Sequence, residues 1–183
     1  MKILKKQLRK LIAEKKREYT NHELKELSSG LFNKLEESSC FINAHNILLY
    51  YSLPDEVYTH DFIDKWCKEK NILLPVVVGD NLELRQYTSP KDLRIGAYHI
   101  LEPVGEKWNK LNEIDLCIIP GVAFDHECRR LGRGKGYYDR LLPLLNSYKI
   151  GICFEFQLIS TIPEEPFDIR MDAVWTEKGE IRE

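Results

Sequence analysis

Four continuous apolar runs of strand length constrain the fold of this chain more than any other feature of its sequence. They lie at residues 46–52, 71–78, 115–120 and 148–154. A strand that is apolar throughout, rather than at alternate positions, must be buried on both faces, as in parallel sheets covered by helices. Helical leucine patterns stand before and between these runs. We therefore expect an α/β fold of three layers, α/β/α, with a mostly parallel central sheet.

The first 38 residues predict two consecutive helices. Residues 3–18 place four apolar residues at helical spacing on one face, among them Leu4 and Leu11. Residues 21–38 repeat this pattern, and Asn21 is the expected N-cap. We expect these helices to form an N-terminal helical hairpin that packs on the rest of the domain.

The remainder of the chain alternates between helical and strand patterns. Helices are expected at residues 59–70 and 137–145, and further strands at residues 82–88 and 173–176. The strand at 82–88 should form a hairpin with 71–78 through Gly79-Asp80-Asn81. Residues 89–114 carry two prolines and two glycines and should be mostly irregular. No repeat or linker divides the chain, so residues 1–183 are expected to form a single domain.

Composition excludes several classes of protein. The 183 residues carry 27 Lys and Arg against 29 Asp and Glu, a formal net charge of −2. Bulk nucleic-acid binding usually requires a strongly basic domain, so no nucleic-acid partner is expected. No run approaches the roughly 18 apolar residues that would predict a membrane span. The basic N-terminal segment lacks the apolar core of a signal peptide.

The cysteines indicate a compartment. There are five, an odd number with no CxxC pair, which argues against a disulfide framework and against a zinc site. Free thiols are typical of a reducing environment. We expect a cytoplasmic protein that has no membrane partner and is a monomer.

Residues 120–142, PGVAFDHECRRLGRGKGYYDRLL, carry the most information about function. They leave the carboxyl end of a predicted strand and enter a predicted helix, the place where ligands bind in open α/β sheets. Within residues 130–136, here named the glycine loop, three glycines alternate with Arg133 and Lys135. Glycines allow close approach to a phosphate, and the cations can reach its oxygens. The loop fits neither common phosphate-binding template, so the residues alone leave a phosphate loop and a solvated turn equally open.

PGVAFD followed by RLGRGKGYYDRLL resembles the signature of the 5-formyltetrahydrofolate cyclo-ligases, also called methenyltetrahydrofolate synthetases. KKQLR in the first helix, Asp55-Glu56 after the first strand and Asp172 in MDAVWTE lie where that family has such residues. The resemblance covers nearly the whole chain and implies a fold like that of sugar-phosphate isomerases and CoA transferases. The family often has glycine where Cys128 stands and an acid where Tyr58 stands.

The resemblance implies an ATP-dependent reaction on a folate. ATP would phosphorylate the formyl oxygen of 5-formyltetrahydrofolate, N10 would attack the activated carbon, and loss of phosphate would leave the 5,10-methenyl bridge. Mg²⁺ would accompany ATP as the cofactor. Phosphoryl transfer of this kind needs positioning and positive charge more than a protein nucleophile.

The resemblance also implies the residues of the site. Arg133 and Lys135 are the expected catalytic residues, because they would stabilise charge on the transferred group. ATP would contact Lys5, Arg9, Arg130, Leu131, Gly132, Arg133, Gly134, Lys135, Gly136, Tyr137 and Tyr138. The folate would contact Tyr51, Glu56, Arg133, Gly134, Lys135, Gly136 and Tyr137. Asp139 and Asp172 would hold the magnesium ion.

Two other functions fit parts of the pattern. A sugar-phosphate isomerase-like enzyme would also bind phosphate at strand ends, but it needs a base or a nucleophilic carboxylate there, where this chain concentrates cations. A basic RNA-binding module would use the first helix and the glycine loop, and its binding would fall steeply with salt without needing ATP. The near-neutral total charge weighs against that module.

Overall fold

The computed structural model describes residues 2–96, 99 and 101–182. Its α-helices are α1 (Lys2–Lys16), α2 (Asn21–Glu36), α3 (Ser39–Ile42), α4 (His60–Trp66) and α5 (Tyr137–Leu141). Its strands are β1 (Asn46–Leu48), β2 (Asn71–Val78), β3 (Asn81–Tyr87), β4 (Leu93–Ile95), β5 (Leu101–Pro103), β6 (Leu116–Pro120), β7 (Ala123–Asp125), β8 (Arg130–Leu131), β9 (Tyr148–Ile152), β10 (Leu158–Ile159), β11 (Ala173–Thr176) and β12 (Gly179–Ile181). Short 3-10 turns cover Pro90–Asp92, Leu111–Glu113, Leu142–Leu144 and Glu155–Gln157.

A mostly parallel sheet lies at the centre of the described structure. Its strand order is β12-β11-β9-β6-β1-β2-β3. The inner pairings, from β11 to β2, are parallel, whereas β3 and β12 pair antiparallel with their neighbours at the two edges. Each edge strand follows its partner directly along the chain, so both edges are hairpins. The predicted α/β class and the predicted hairpin after β2 are confirmed.

Alternating side chains of the apolar strands lie on opposite faces of this sheet. Ile47 and Ile118 lie in a cluster with residues of α2, α3 and α4. Leu48 and Cys117, their chain neighbours, lie in a second cluster with Leu141 of α5 and nearby turns. All four strand residues are 0% exposed. Because side chains alternate with a period of two, each uninterrupted apolar run supplies both faces of a three-layer core.

The N-cap of the second helix lies one residue earlier than predicted. Thr20, not Asn21, is the N-cap: its hydroxyl accepts a hydrogen bond from the N–H of Glu23, and the Glu23 carboxylate accepts one from the N–H of Thr20. This reciprocal capping box satisfies two backbone donors that the start of a helix leaves unpaired. Asn21 is the first residue of the helix and not its cap.

The two N-terminal helices contact different parts of the domain. α1 packs on β7 and the turn at Glu155–Gln157, whereas α2 packs on α3 and β11. The predicted hairpin is therefore a pair of consecutive helices with separate contact surfaces. Leu4 and Leu11 are 48% and 44% exposed, contrary to the predicted stripe, and Ile12 is buried. Within the described ranges, no helix combines the length and the apolar character needed to cross a membrane.

Several segments differ from their predicted secondary structure. The helix predicted at 59–70 spans His60–Trp66, and the one predicted at 137–145 is α-helical only over Tyr137–Leu141. β1 stops at Leu48, although the apolar run continues, and the following residues bring Tyr50 and Tyr51 to the wall of a cavity. The segment at 89–114 is more ordered than predicted, because its described residues include the 3-10 turns Pro90–Asp92 and Leu111–Glu113 and the small sheet of β4 and β5. Its residues 97, 98 and 100 lie outside the described residues.

Candidate active site

A cavity of about 340 Å³ opens at the carboxyl ends of the central parallel strands. Tyr50 and Tyr51 after β1, Pro75 and Val77 of β2, and the whole stretch 132–139 contribute to its wall. This is the edge of the sheet at which ligands bind in open α/β folds, and the volume is in the range of small-molecule sites. The glycine loop therefore lies where its sequence predicted.

Two glycines shape the glycine loop. Gly134 and Gly136 have φ values of 96° and 74°, in the left-handed region that disfavours residues with a Cβ. A Cβ on Gly134 would also lie 3.4 Å from the guanidinium of Arg9. Arg9 Nε donates a hydrogen bond to the carbonyl of Gly132 at 2.8 Å. The structure thus brings Arg9, a predicted ATP contact, against the loop.

Lys5 and Leu131, two further predicted ATP contacts, have other partners. Lys5 Nζ donates to the carboxylates of Glu165 at 2.9 Å and Asp168 at 2.8 Å. Burial opposes the charge of Lys5, but these two carboxylates outweigh it and raise the Lys5 pKa. The side chain of Leu131 is buried in a cluster with Ile12 of α1, so it anchors the loop instead of lining the cavity. The acids at 165 and 168 carried no sequence signal, because they stand far from any motif.

Arg133 joins the two acids that follow β1. Its Nη2 donates to Asp55 Oδ1 at 2.7 Å and to Glu56 Oε1 at 3.0 Å, and its Nε donates to the same Glu56 oxygen at 3.1 Å. The other oxygen of Glu56 accepts the N–H of Leu53 at 2.9 Å. Lys16 Nζ lies 3.4 Å from Asp55 Oδ2. This cluster connects α1, the segment after β1 and the glycine loop.

The charges of this cluster shift one another's pKa. Partial burial opposes ionisation of Asp55, but Lys16 and Arg133 outweigh it and hold the Asp55 pKa below its usual value. Burial lowers the pKa of Lys16 despite the carboxylate beside it, since its side chain is only 10% exposed. Glu56, predicted to bind the pterin, is already engaged by Arg133 and by a backbone N–H.

Arg130 holds the predicted metal ligand Asp139. Its Nη2 donates to Asp139 Oδ1 at 2.6 Å, and its Nη1 donates to the carbonyl of Pro120 at 3.3 Å. The guanidinium carbon lies 5.4 Å from the centre of the Tyr138 ring. Burial raises the pKa of Tyr138, so its hydroxyl stays protonated. Arg130, Tyr138 and Asp139 all line the cavity.

The remaining predicted contacts also line the cavity. Lys135 is exposed on the glycine loop. Tyr137 lies next to the guanidinium of Arg140, 5.5 Å from its ring centre. The ring of Tyr51 stacks on His60 with centroids 3.7 Å apart. Aromatic faces and cations are thus assembled on one concave surface.

Asp172, the second predicted metal ligand, lies at the amino ends of the central strands, opposite the ends at which the cavity opens. It directly precedes β11, and its Oδ2 accepts the N–H of Lys149 at 2.6 Å. Lys149 pairs in register with Cys117 near the start of β6, whereas the cavity begins at Pro120 at the end of that strand. The structure does not bring Asp172 to Asp139, the other predicted ligand of the ion.

The cavity contains an acid that the sequence did not single out. Glu102 of β5 is 8% exposed, and its Oε1 accepts the N–H of Val77 at 3.0 Å. A Cβ on Gly96 would overlap the Glu102 carboxylate, so this glycine makes room for it. The residue stands in a segment predicted to be irregular, and only the topology places it beside β2.

Cys128 adopts a backbone conformation that favours glycine. Its φ is 58°, and its side chain is buried. It belongs to a tight turn between β7 and β8, in which its N–H donates to the carbonyl of Asp125 at 3.1 Å. A family preference for glycine at this position has a physical cause here, because residues with a Cβ are strained at positive φ.

Nearly the whole chain matches one known family of proteins. The sequence profile of the 5-formyltetrahydrofolate cyclo-ligase family matches residues 2–177. The chain belongs to this family. It is therefore an enzyme of folate one-carbon metabolism, and the folate is a small-molecule substrate.

Individual cyclo-ligases show the same extent of similarity. A probable 5-formyltetrahydrofolate cyclo-ligase of Schizosaccharomyces pombe is 31% identical over 202 residues, which cover 100% of this chain and 99% of the relative. The 5-formyltetrahydrofolate cyclo-ligase of Escherichia coli K12 is 29% identical over 175 residues, covering 91% and 96%. The solved 5,10-methenyltetrahydrofolate synthetase of Aquifex aeolicus has a TM-score of 0.89 and 37% identity, covering 98% of this chain and 92% of that one.

Proposed function

We propose that this cyclo-ligase converts 5-formyltetrahydrofolate to 5,10-methenyltetrahydrofolate and uses one ATP, which leaves as ADP and phosphate. One observation carries the proposal: the glycine loop presents Arg133 and Lys135 to the same cavity whose wall includes Tyr51 and apolar strand ends. A cationic surface suits phosphates, and an aromatic and apolar surface suits a flat heterocycle.

The reaction proceeds in two steps. The formyl oxygen attacks the γ-phosphorus of ATP and ADP leaves, so a poor leaving group becomes a phosphate ester. N10 then attacks the formyl carbon, the carbon–oxygen bond breaks, and phosphate departs with the former formyl oxygen. Loss of the N10 proton completes the cationic methenyl bridge. Each atom of the formyl group is accounted for without a protein nucleophile.

The residues of the glycine loop supply the electrostatic part of this chemistry. Lys135 and Arg133 face the transferred phosphoryl group and stabilise the charge that spreads over its oxygens. The backbone of residues 132–136 approaches the phosphates because its glycines lack side chains. Arg9 and Arg130 keep the loop in position from α1 and from β8.

Magnesium is the cofactor that we propose to accompany ATP. Among the described residues there is no group of three or more His, Cys, Asp or Glu side chains that would form a complete metal site. Mg²⁺ commonly takes one or two carboxylates and completes its shell with phosphate oxygens and water. Asp139 fits this role on the cavity wall, whereas Asp172 is not part of that wall and accepts the N–H of Lys149.

The RNA-binding alternative is disfavoured by where the loop cations lie. Arg130, Arg133 and Lys135 all line the same cavity. A surface that binds nucleic-acid backbones leaves its cations open to phosphates in an extended row. Here the cations converge on one small cavity instead.

The thiols support a reducing compartment, and we place the enzyme in the cytosol as a monomer without a nucleic-acid or membrane partner. None of the five cysteines is part of a disulfide. Burial raises the pKa of Cys117 to about 11, so this thiol is unreactive at neutral pH. Cell fractionation and light scattering of the purified protein test these two statements.

The decisive experiment follows the absorbance of methenyltetrahydrofolate with purified protein, 5-formyltetrahydrofolate, Mg²⁺ and ATP. The expected result is product that appears only with ATP, together with one ADP and one phosphate per methenyl group formed. Omission of ATP and replacement of ATP by its β,γ-methylene analogue are the controls. Product in either control, or none in the complete mixture with folded protein, contradicts the proposal.

A further inference from the structure

Glu102 is a buried carboxylate in the active-site cavity that the proposed reaction does not use. It is 8% exposed, and among the described residues the hydrogen bond from Val77 is the contact that its carboxylate is seen to accept. An ionised carboxylate can accept about four hydrogen bonds. Leaving such a group buried and mostly unpaired is costly. Its remaining capacity is therefore available to a ligand in the cavity.

The surroundings of Glu102 define what kind of ligand can use it. The nearby wall consists of Pro75, Val77, Leu82 and Leu101, which offer no charge. The arginines that line the cavity are engaged elsewhere, with the acids after β1 and with the acid at the start of α5. A neutral ligand with adjacent N–H groups suits an anionic acceptor in an apolar wall.

We propose that Glu102 binds the amino-pyrimidine edge of the folate, through the 2-amino group and N3–H. This inference rests on the proposed function and names the group that orients its substrate. The pyrimidine edge and N5 belong to opposite rings of the pterin, so a pterin held at that edge directs its formyl group away from β5, toward the glycine loop. Glu56, the other acid of the cavity wall, is held by Arg133 and by the N–H of Leu53.

Glu102→Gln tests this role without opening the fold. Glutamine keeps an oxygen that can accept the N–H of Val77, but it loses the charge and one acceptor. Glu106→Gln is the matched control, since Glu106 is exposed in the same segment. Glu56→Gln tests the competing assignment. The probes are 5-formyltetrahydrofolate and its analogue with a methyl group in place of the 2-amino group, and binding is measured by calorimetry without ATP.

The unaltered enzyme should bind the parent folate about 10- to 100-fold more tightly than the methyl analogue, as expected for a charged hydrogen bond. Glu102→Gln should remove most of this preference and raise KM for the folate, with KM for ATP unchanged. Glu106→Gln and Glu56→Gln should keep the preference. The thermal midpoint of each variant is recorded alongside.

Two results would overturn the inference. If Glu102→Gln keeps the full preference for the parent folate but loses thermal stability, Glu102 serves only to accept the N–H of Val77. Loss of the preference in Glu56→Gln alone would assign the pterin to that acid. Absence of ATP-dependent product with the unaltered enzyme would instead reject the proposed function, so the two failures are distinguishable.

Discussion

Acids lie at both ends of the central parallel strands, here called the amino edge and the carboxyl edge, but the acids at the two ends bind different kinds of partner. At the amino edge, Asp115 Oδ2 accepts the N–H groups of His45 and Asn46, each at 2.8 Å. Asp172 Oδ2 accepts the N–H of Lys149 in the same way. Each of these acids precedes one strand and holds the beginning of its neighbour. At the amino edge, hydrogen bonds between side-chain carboxylates and backbone N–H groups thus hold neighbouring strands together.

At the carboxyl edge three acids, Asp55, Glu56 and Asp139, bind side-chain cations. Asp55 and Glu56 hold Arg133, and Asp139 holds Arg130. A backbone N–H cannot leave its strand, whereas an arginine side chain can exchange a carboxylate for a phosphate of similar geometry. The comparison teaches that the same residue type stabilises the sheet at one edge and holds ligand-binding groups at the other.

The largest expected difference between the edges concerns lysines. Lys135→Ala should lower kcat by about 10²- to 10³-fold, because it removes positive charge from the transferred phosphoryl group. The thermal midpoint should stay within about one degree, since Lys135 is exposed. Lys110→Ala is the control, because Lys110 is exposed before β6 at the amino edge. Equal activities of the two variants would show that the loop cation takes no part in catalysis.

Aspartates at the two edges should give opposite results. Asp139→Asn should lower activity by about 10-fold or more and increase the Mg²⁺ concentration needed for half-maximal rate, as expected for loss of one carboxylate ligand. Asp172→Ala should leave the Mg²⁺ dependence unchanged and lower the free energy of unfolding by about 1 kcal/mol, through the lost hydrogen bond. Magnesium titrations of the rate and urea unfolding measure the two effects. A Mg²⁺ defect in the second variant would restore Asp172 to the site.

The turn that leads from β7 to the glycine loop offers a smaller effect on stability. At an ordinary buried position, glycine is less stable than alanine. At Cys128, where φ is 58°, the order should reverse. Cys128→Gly should be more stable to urea than Cys128→Ala by about 1 kcal/mol, the cost of a left-handed conformation. Alanine as the more stable variant would mean that the strain is relieved elsewhere.

The smallest effect concerns acid stability. Hydrogen bonds from Arg170 and Arg129 lower the pKa of Glu164 to about 2. Because the folded pKa lies below the ordinary value, this carboxylate stabilises the fold above that ordinary value, and the stabilisation is lost as the pH falls toward 2. Glu164→Gln should therefore show a flatter dependence of the urea midpoint on pH in the acid range. Glu106→Gln should retain the slope of the unaltered protein.

Much of the fold was readable from sequence, because local patterns decide it. Residues 71–78 and 173–176 are strands with the predicted bounds, since apolar runs with clear turn signals leave few alternatives. The glycine loop could be predicted because its residues are contiguous. A local signal already separated the predicted ligand Asp172 from the cavity: it directly precedes β11, whereas Glu56 of the cavity follows β1.

Other parts of the site could not have been read in this way. Glu102 reaches the cavity only because β5 lies beside β2, a pairing between distant segments. The carboxylates that hold Lys5 come from positions 160 or more residues away, far beyond any local pattern. Contacts of this kind depend on topology, which residue spacing does not record.

The two hairpins formed by the outermost strands of the sheet, β2–β3 and β11–β12, also bear on how the chain folds. Val78 pairs with Asn81 and Thr176 with Gly179, so each hairpin needs only a short loop to close. The inner pair of Leu48 with Cys117 must close a much longer loop. Closing a long loop costs more chain entropy and slows the pairing of parallel strands. We therefore expect the two hairpins to form first and the central parallel strands, where substrates bind, to pair last.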